Sequence, residues 1–506
     1  MLAKCALFHE HKRLGAGVLA ARARWNPSRR APAWHGVCAK PDRPIYCLLV
    51  MLRLVQRAAR SGVRVRSVLV RLQSSDARPS LLDVLEERNM VQATTSSSLK
   101  PHMATVEKGA LVPRTVYAGV DPSAPSMHVG NLLPLFALLH CALHGHTALV
   151  LVGGGTGAIG DPSGRSTERS ALDAEQLEAN VASIRAQMYQ FFHNAAAYLE
   201  RRGMIKAPVN TYTTEGSANP AGESLFGSGL DVRIVNNFSW LQPVSLIQFL
   251  SEVGRHARVN DMLARDSVKN RLTTPGAEAN SAPGLSFTEF SYQLLQAYDF
   301  SVLHRAPWHC SLQIGGSDQM GNISAGIDLI RRQQAADGAD IREDPAYGLT
   351  LPLLTTSSGA KFGKSAGNAV WISPSLLSDL DFYQYFLRSA DADVERYLRS
   401  LTLLSSDEIA SVLEEHSKDR TKRLAQEKLA AEMTELVRGE AALRRARVAT
   451  KVLFGTSLDQ LRTDEVLFAF EDDPRLVHMP QGALESEVLR LAVDSGLTAS
   501  RSTLCY

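Results

Sequence analysis

The 506-residue sequence predicts an α/β protein, in which a parallel sheet covered by helices is followed by an α-helical domain. Three observations predict it. Short apolar runs, several ending in glycine, alternate with longer helical stretches, which is the pattern of βα repeats. The apolar runs are nearly continuous, as in strands covered on both faces. After Trp371 the chain becomes charge-rich, with few turn residues.

The elements follow in order. Residues 81–89 read as a helix, followed by a Thr/Ser-rich connector. Residues 115–119 form a short strand, and 129–140, apolar nearly throughout, a helix. TALVLV at 147–152 is a second buried strand, and GGGTGAIGDPSG follows it at once. A mixed-charge helix spans 166–200, a Gly/Ser-rich loop 216–229, a strand 231–236 and a polar loop 273–284. Residues 289–299 are helical, and 310–314 lead into a second glycine pair. Helices fill 374–450, and the last fifty residues read as a small mixed segment.

Composition narrows the function classes. Hydrophobic residues make up 45% and charged residues 21%, an ordinary balance for a chain of two or three packed domains. The longest apolar run, 132–139, falls far short of the roughly 20 residues of a membrane span. Six cysteines are scattered without a C-x-x-C pair, which argues against a zinc site or a disulfide framework. Residues 1–75 carry 15 Lys and Arg against Glu10 and Asp42, a net of +13; the total of +3 leaves −10 for the rest. Within this segment, residues 51–75 set Arg53, Arg57, Arg60, Arg64, Arg66 and Arg71 among Leu, Val and Ala with no acid. That is a basic amphipathic helix of the kind that directs mitochondrial import, and residues 1–79 are read as targeting sequence and extension. A loose RNA-binding tail is the alternative.

Five motifs carry chemistry. His128-Val-Gly130-Asn131 opens a helix, where an imidazole beside free backbone N–H groups suits a polyphosphate. The glycine-rich turn at 153–164 contains Asp161 and no lysine, so it suits an ammonium better than a phosphate. Tyr292, Gln296 and Asp299 stand at i, i+4 and i+7, a polar stripe on one face of an apolar helix. Gly315-Gly316-Ser-Asp318-Gln319 offers an acid to ribose hydroxyls. Lys361-Phe-Gly-Lys364-Ser365 presents two lysines able to embrace a pyrophosphate. Each motif alone also fits a plain turn, a helix start or a solvated loop.

Their order is what distinguishes them. Together with YAGVDPSAPS, FTEFSYQLLQAYDF and QIGGSDQMGNI, they resemble the class I tyrosyl-tRNA synthetases over about residues 80–455. HVGN is similar to that family's HIGH signature and KFGKS to its KMSKS signature. The resemblance implies a Rossmann-like catalytic domain at 80–371, a helical anticodon-binding domain at 372–455, and a linker with a partial S4-like RNA-binding segment at 456–506. It implies a tyrosine pocket in which Tyr117 and Asp299 meet the phenol hydroxyl. Tyr292, Asp161, Gln296 and Thr156 meet the ammonium, and Gln319 and Asn236 complete the pocket. ATP, with Mg2+ on its phosphates and no protein-held metal, is expected at Gly119, Asp121, His128, Gly130 and Asn131, with Gly316 and Asp318 at the ribose. Lys361, Lys364 and Ser365 are expected at the pyrophosphate. The implied partners are tRNA, tyrosine, ATP and a second copy of the chain, in the mitochondrial matrix and away from membranes.

Three positions depart from the family pattern. Asn131 stands where a second histidine is common, and asparagine can still donate to a ribose oxygen. Met320 stands where tryptophan is common. At the C-terminus, residues 487–502 are similar to the opening of the S4-like domain, and the sequence ends shortly afterwards. Two rival readings are a tryptophanyl-tRNA synthetase and an RNA-binding, intron-splicing derivative of the synthetase. In the helical domain, Arg444, Arg445 and Arg447 have only Glu440 within one turn, which reads as an unpaired basic cluster for RNA phosphates.

Overall fold

The computed structural model describes residues 79–506 apart from 164–171, 206–229, 266–267, 270–271, 273–284, 340–343, 360–361, 363, 366–367, 456–460, 472, 474–475, 499 and 501–506; at Lys364, Ser365, Asn368 and Leu484 only the backbone is described. The import helix expected before residue 79 and Lys361 lie outside the described residues.

Six strands form one sheet: β1 (Ala93–Thr94), β2 (Thr115–Val120), β3 (Thr147–Val152), β4 (Val232–Asn236), β5 (Cys310–Gly316) and β6 (Tyr347–Leu351). Their order across the sheet is β1-β6-β5-β2-β3-β4. All neighbours run parallel except the short edge strand β1. The chain starts the parallel part in the middle at β2, moves outward through β3 to β4, then returns to the other side of β2 for β5 and β6. The order therefore reverses between β2 and β5, and in such sheets ligands bind in the crevice beyond the strand ends at this reversal.

The covering helices explain the apolar strands. Ala148 to Val152 of β3 are all buried. The helix α1 (Leu81–Glu87) is capped by Ser80, whose hydroxyl accepts from the Asp83 N–H. Helix α2 (Leu132–Leu143) buries ten of its twelve residues. It is apolar on every side because it lies between β2, β3 and a helix of the charge-rich part after Trp371. Helix α3 (Ala174–Arg201) starts eight residues later than the sequence suggested, at an Asp173 cap. Helices α4 (Phe287–His304) and α5 (Met320–Ala336) pack against each other beside β5.

Helices α6 (Asp379–Leu387), α7 (Asp391–Leu401), α8 (Ser406–Lys418), α9 (Leu424–Arg438) and α10 (Glu440–Phe454) form the helical part. It does not stand apart. One continuous apolar cluster runs from Leu81 and Phe136 through Phe191 to Phe382, Leu398 and Leu436. Polar struts add to it: Asn194 of α3 donates to the Val437 carbonyl at 3.0 Å, and the Tyr198 hydroxyl donates to buried Glu432 at 2.6 Å.

The unpaired basic cluster expected at 444–447 is not found. Arg445 pairs with Asp379 at 2.7 Å, and the Arg444 guanidinium lies 4.0 Å from the centre of the Phe468 ring. Arg447 bonds the Tyr383 side chain. Asp379 and Tyr383 lie more than sixty residues away in sequence and meet α10 only through packing, which a one-turn window misses.

Candidate active site at the sheet reversal

The site is built where β2, β3 and β4 end, facing the polar stripe of α4. Asp299, on α4, is 2% exposed. Its two carboxylate oxygens accept from Asn237 Nδ2 at 2.9 Å and from the Trp240 indole N–H at 2.8 Å. Burial pushes its pKa up to about 7, against these two bonds. Beside it, Tyr117 of β2 packs its ring on Phe300 at 5.3 Å. The Tyr117 hydroxyl is buried and has no hydrogen-bond partner among the described residues. Its pKa is raised well above the usual value by burial and then by Asp299. A buried hydroxyl left unpaired costs about 1–3 kcal/mol, so this end of the site is incomplete without a ligand that can bond it.

A chain of bonds leads away from Asp299. Asn237 Nδ2 also donates to Thr156 Oγ1 at 2.9 Å. Thr156 in turn donates to Asp121 at 2.7 Å, and so does the Tyr292 hydroxyl at 2.7 Å. The turn after β3 can pass so close because it is glycine: a Cβ on Gly153 would overlap the Asp121 carboxylate. A second cluster surrounds Asp161. It accepts from Gln319 Nε2 at 2.7 Å and from the Ser163 N–H at 2.9 Å. Asn322 Nδ2 joins it to Gln296 Oε1 at 3.0 Å. Asp161 and Asp299 are met by amides, an indole and a backbone N–H; among the described residues neither has an ion pair with Lys or Arg. The arrangement suits a ligand with a hydroxyl at one end and an ammonium at the other.

The nucleotide motifs sit at the rim. His128 Nδ1 accepts from the Gly130 N–H at 3.0 Å, and Asn131 Oδ1 accepts from the His128 N–H at 3.0 Å. A side chain on Gly130 would meet the His128 ring at 2.8 Å, so the glycine serves the histidine's seat as well as ligand access. Gly119 and Asp318 are exposed at the ends of β2 and β5, and Gly316 closes β5. Two short strands, β7 (Lys364–Ser365) and β8 (Asn368–Ala369), pair antiparallel in the lysine loop.

Of the eight pocket residues expected from sequence, the structure brings seven into one neighbourhood: Tyr117, Thr156, Asp161, Tyr292, Gln296, Asp299 and Gln319. Asn236 is different. Its Oδ1 accepts from the Phe238 N–H at 2.9 Å, and its amide lies against Gly154. The network position belongs to the next residue, Asn237. Sequence reasoning also missed Trp240 and Asn322. The Asn237–Trp240 pair is spaced to bond one carboxylate just past a strand, but no local periodicity marks that.

A parallel sheet with this reversal, a hydroxyl-and-ammonium pocket and two rim signatures define a class I aminoacyl-tRNA synthetase. The family described as "tRNA synthetases class I (W and Y)" matches residues 111–455, and the chain belongs to it, on the tyrosyl branch. It is 43% identical over 392 residues to a tyrosine–tRNA ligase of Roseiflexus castenholzii, covering 77% of this chain and 81% of that protein. It is 40% identical over 385 residues to the mitochondrial tyrosine–tRNA ligase of Saccharomyces cerevisiae, covering 76% and 71%. A C-terminally truncated mitochondrial tyrosyl-tRNA synthetase of Aspergillus nidulans superposes with a TM-score of 0.62 at 30% identity, over 79% of this chain and 99% of that one.

Proposed function

We infer that this chain activates L-tyrosine with ATP and transfers it to tRNA. The observation that carries the reading is the buried Tyr117 hydroxyl, unpaired beside Asp299, at one end of a network whose other end holds Asp161. A tyrosine side chain brings the missing hydroxyl, and its ammonium meets Asp161, Tyr292, Gln296 and Thr156. Asn237 and Trp240 hold Asp299 for the phenol. ATP, as its Mg2+ complex, lies along Gly119, Asp121, His128, Gly130 and Asn131, with Gly316 and Asp318 at the ribose. Lys361, Lys364 and Ser365 take the pyrophosphate.

The reaction then needs no protein nucleophile. The tyrosine carboxylate attacks the α-phosphorus and pyrophosphate leaves. A hydroxyl of the terminal adenosine of tRNA next attacks the acyl carbon and AMP leaves. Positioning and charge stabilisation supply the acceleration. Residues 372–455 take the anticodon role, and 456–506 hold an S4-like segment. The chain works in the mitochondrial matrix; support comes from the basic, acid-free sequence at 51–75 and from mitochondrial relatives. It pairs with a second copy, for which Leu246 and Ile247, 71% and 81% exposed on the same short helix as exposed Leu250, offer apolar surface.

Among the described residues no helix is long and apolar enough to cross a membrane. The test against the tryptophanyl reading is ATP–pyrophosphate exchange with each amino acid. Tyrosine should drive it and tryptophan should not; the reverse preference would sink this assignment.

A further inference from the structure

Residues 370–373 leave the β7–β8 hairpin and run along the His128 turn. The Val129 N–H donates to the Val370 carbonyl at 3.0 Å, and the Ile372 N–H donates to the Met127 carbonyl at 3.0 Å. The Ser373 N–H donates to Ser126 Oγ at 3.2 Å. This stretch is thus a strap: one end continues from the lysine hairpin, and its length is stitched to the His-x-Gly turn.

A single side chain from the helical part holds the strap from the other side. Arg438 closes α9, and its side chain is 1% exposed. Its Nε donates to the Ile372 carbonyl at 3.2 Å, and Nη2 donates to the Trp371 carbonyl at 3.2 Å. Nη1 pairs with Asp379 at 3.0 Å, and the guanidinium lies 4.3 Å from the centre of the Phe382 ring. A buried cation needs one carboxylate to offset its charge. Asp379 supplies it while also pairing with Arg445, and the bonds to the Trp371 and Ile372 carbonyls occupy the remaining guanidinium donors and fix where it sits. Only a guanidinium fork reaches a carboxylate on one side and two successive carbonyls on the other.

We propose that Arg438 is a positioning residue for adenylate formation: by gripping residues 371–372 it holds the strap against the His128 turn and so sets the base from which the Lys364–Ser365 strand pair extends. The proposal rests on the reading of those two motifs as the ATP site. It gives the helical part a rigid connection to the nucleotide rim that bypasses the tyrosine pocket. An arginine that only cements the core would behave differently. Its loss would lower the number of folded molecules, but each folded molecule would keep its ATP affinity and rate.

The experiment is Arg438→Lys, with active sites counted by the adenylate burst. Tyrosine affinity without ATP should stay within about twofold, while KM for ATP rises and the adenylation rate per active site falls about tenfold or more, as small misplacements of reacting groups do. An unchanged KM and rate per site, even with a lower Tm, overturns the proposal. Should that variant not fold, Ser126→Ala loosens the strap from its opposite edge and carries the same expectation; unchanged ATP kinetics there overturns it equally. His128→Ala separates the proposal from its premise. If it leaves KM for ATP unaltered, the nucleotide reading fails; if it raises KM while Arg438→Lys does not, only the positioning role fails.

Discussion

Asp299 concentrates the chemistry of the pocket in one carboxyl. Burial raises its pKa from 3.8 to about 7, so the folded protein holds a proton that the unfolded chain releases. The stability this contributes is fully present below about pH 4 and is lost as pH rises toward 7. Asp299→Asn cannot ionise, and its single oxygen cannot accept from both Asn237 and Trp240. The variant should therefore be less stable than wild type at about pH 5, and the gap should narrow by about pH 8. Thermal unfolding at the two pH values measures this, and a gap that does not change between them would mean the carboxyl is already ionised in the folded state at about pH 5. Asn237 sharpens the same point. Its amide is 0% exposed and links the Asp299 end to Thr156, yet nothing in the sequence distinguishes it from Asn236. Which of two adjacent asparagines faces inward is decided by the way the chain leaves β4, and that is a tertiary fact.

At the scale of elements, the strands and helices that build the site were largely legible. TALVLV is β3 residue for residue, and the polar stripe at 292, 296 and 299 does face the pocket. Such signals are local: periodicity, apolar runs and glycine punctuation. What was not legible depends on distant partners. The short edge strand Ala93–Thr94 exists because it pairs with β6, some 250 residues on. The arginines of α10 looked free because Asp379 and Phe468 lie outside any helical window. The lysine loop is the element whose function can be isolated most cleanly. Lys364→Ala should slow adenylate formation by roughly 10²-fold or more, because a charge placed for the transition state is lost. Tyrosine binding without ATP should hardly change. Equal losses in both would make the β7–β8 hairpin a structural element and not a pyrophosphate clamp.

Across the whole molecule, the described residues from Pro79 onward form one compact unit. The helical part, for which we propose the anticodon role, shares a core with the sheet, so on that reading the placement of tRNA and the placement of ATP are set by one packed body. For the basic segment before residue 79 we propose a separate purpose, mitochondrial import. A reporter carrying residues 51–80 should enter mitochondria, and Arg57, Arg60 and Arg64 changed to Glu should keep it in the cytosol; a cytosolic wild-type fusion would contradict the targeting role. The purified chain should sediment as a dimer that Ile247→Glu breaks, since a buried charge on the apolar face costs more than the contact returns. A monomeric wild type would remove the second copy from this account.

The central claim is a pocket that recognises tyrosine by its hydroxyl. The most direct measurement is the ratio of kcat/KM for tyrosine over phenylalanine in pyrophosphate exchange, in wild type and in Asp299→Ala. The ratio cancels any difference in the fraction of folded enzyme. Wild type should strongly prefer tyrosine, because phenylalanine leaves the buried Tyr117 hydroxyl unpaired and brings no hydroxyl to the Asp299 carboxyl that Asn237 and Trp240 hold in place. Removing the carboxyl should shrink that preference by about tenfold or more, the scale of one buried polar group losing its partner. A ratio that does not move would mean that Asp299 does not meet the substrate and that the pocket has been placed wrongly.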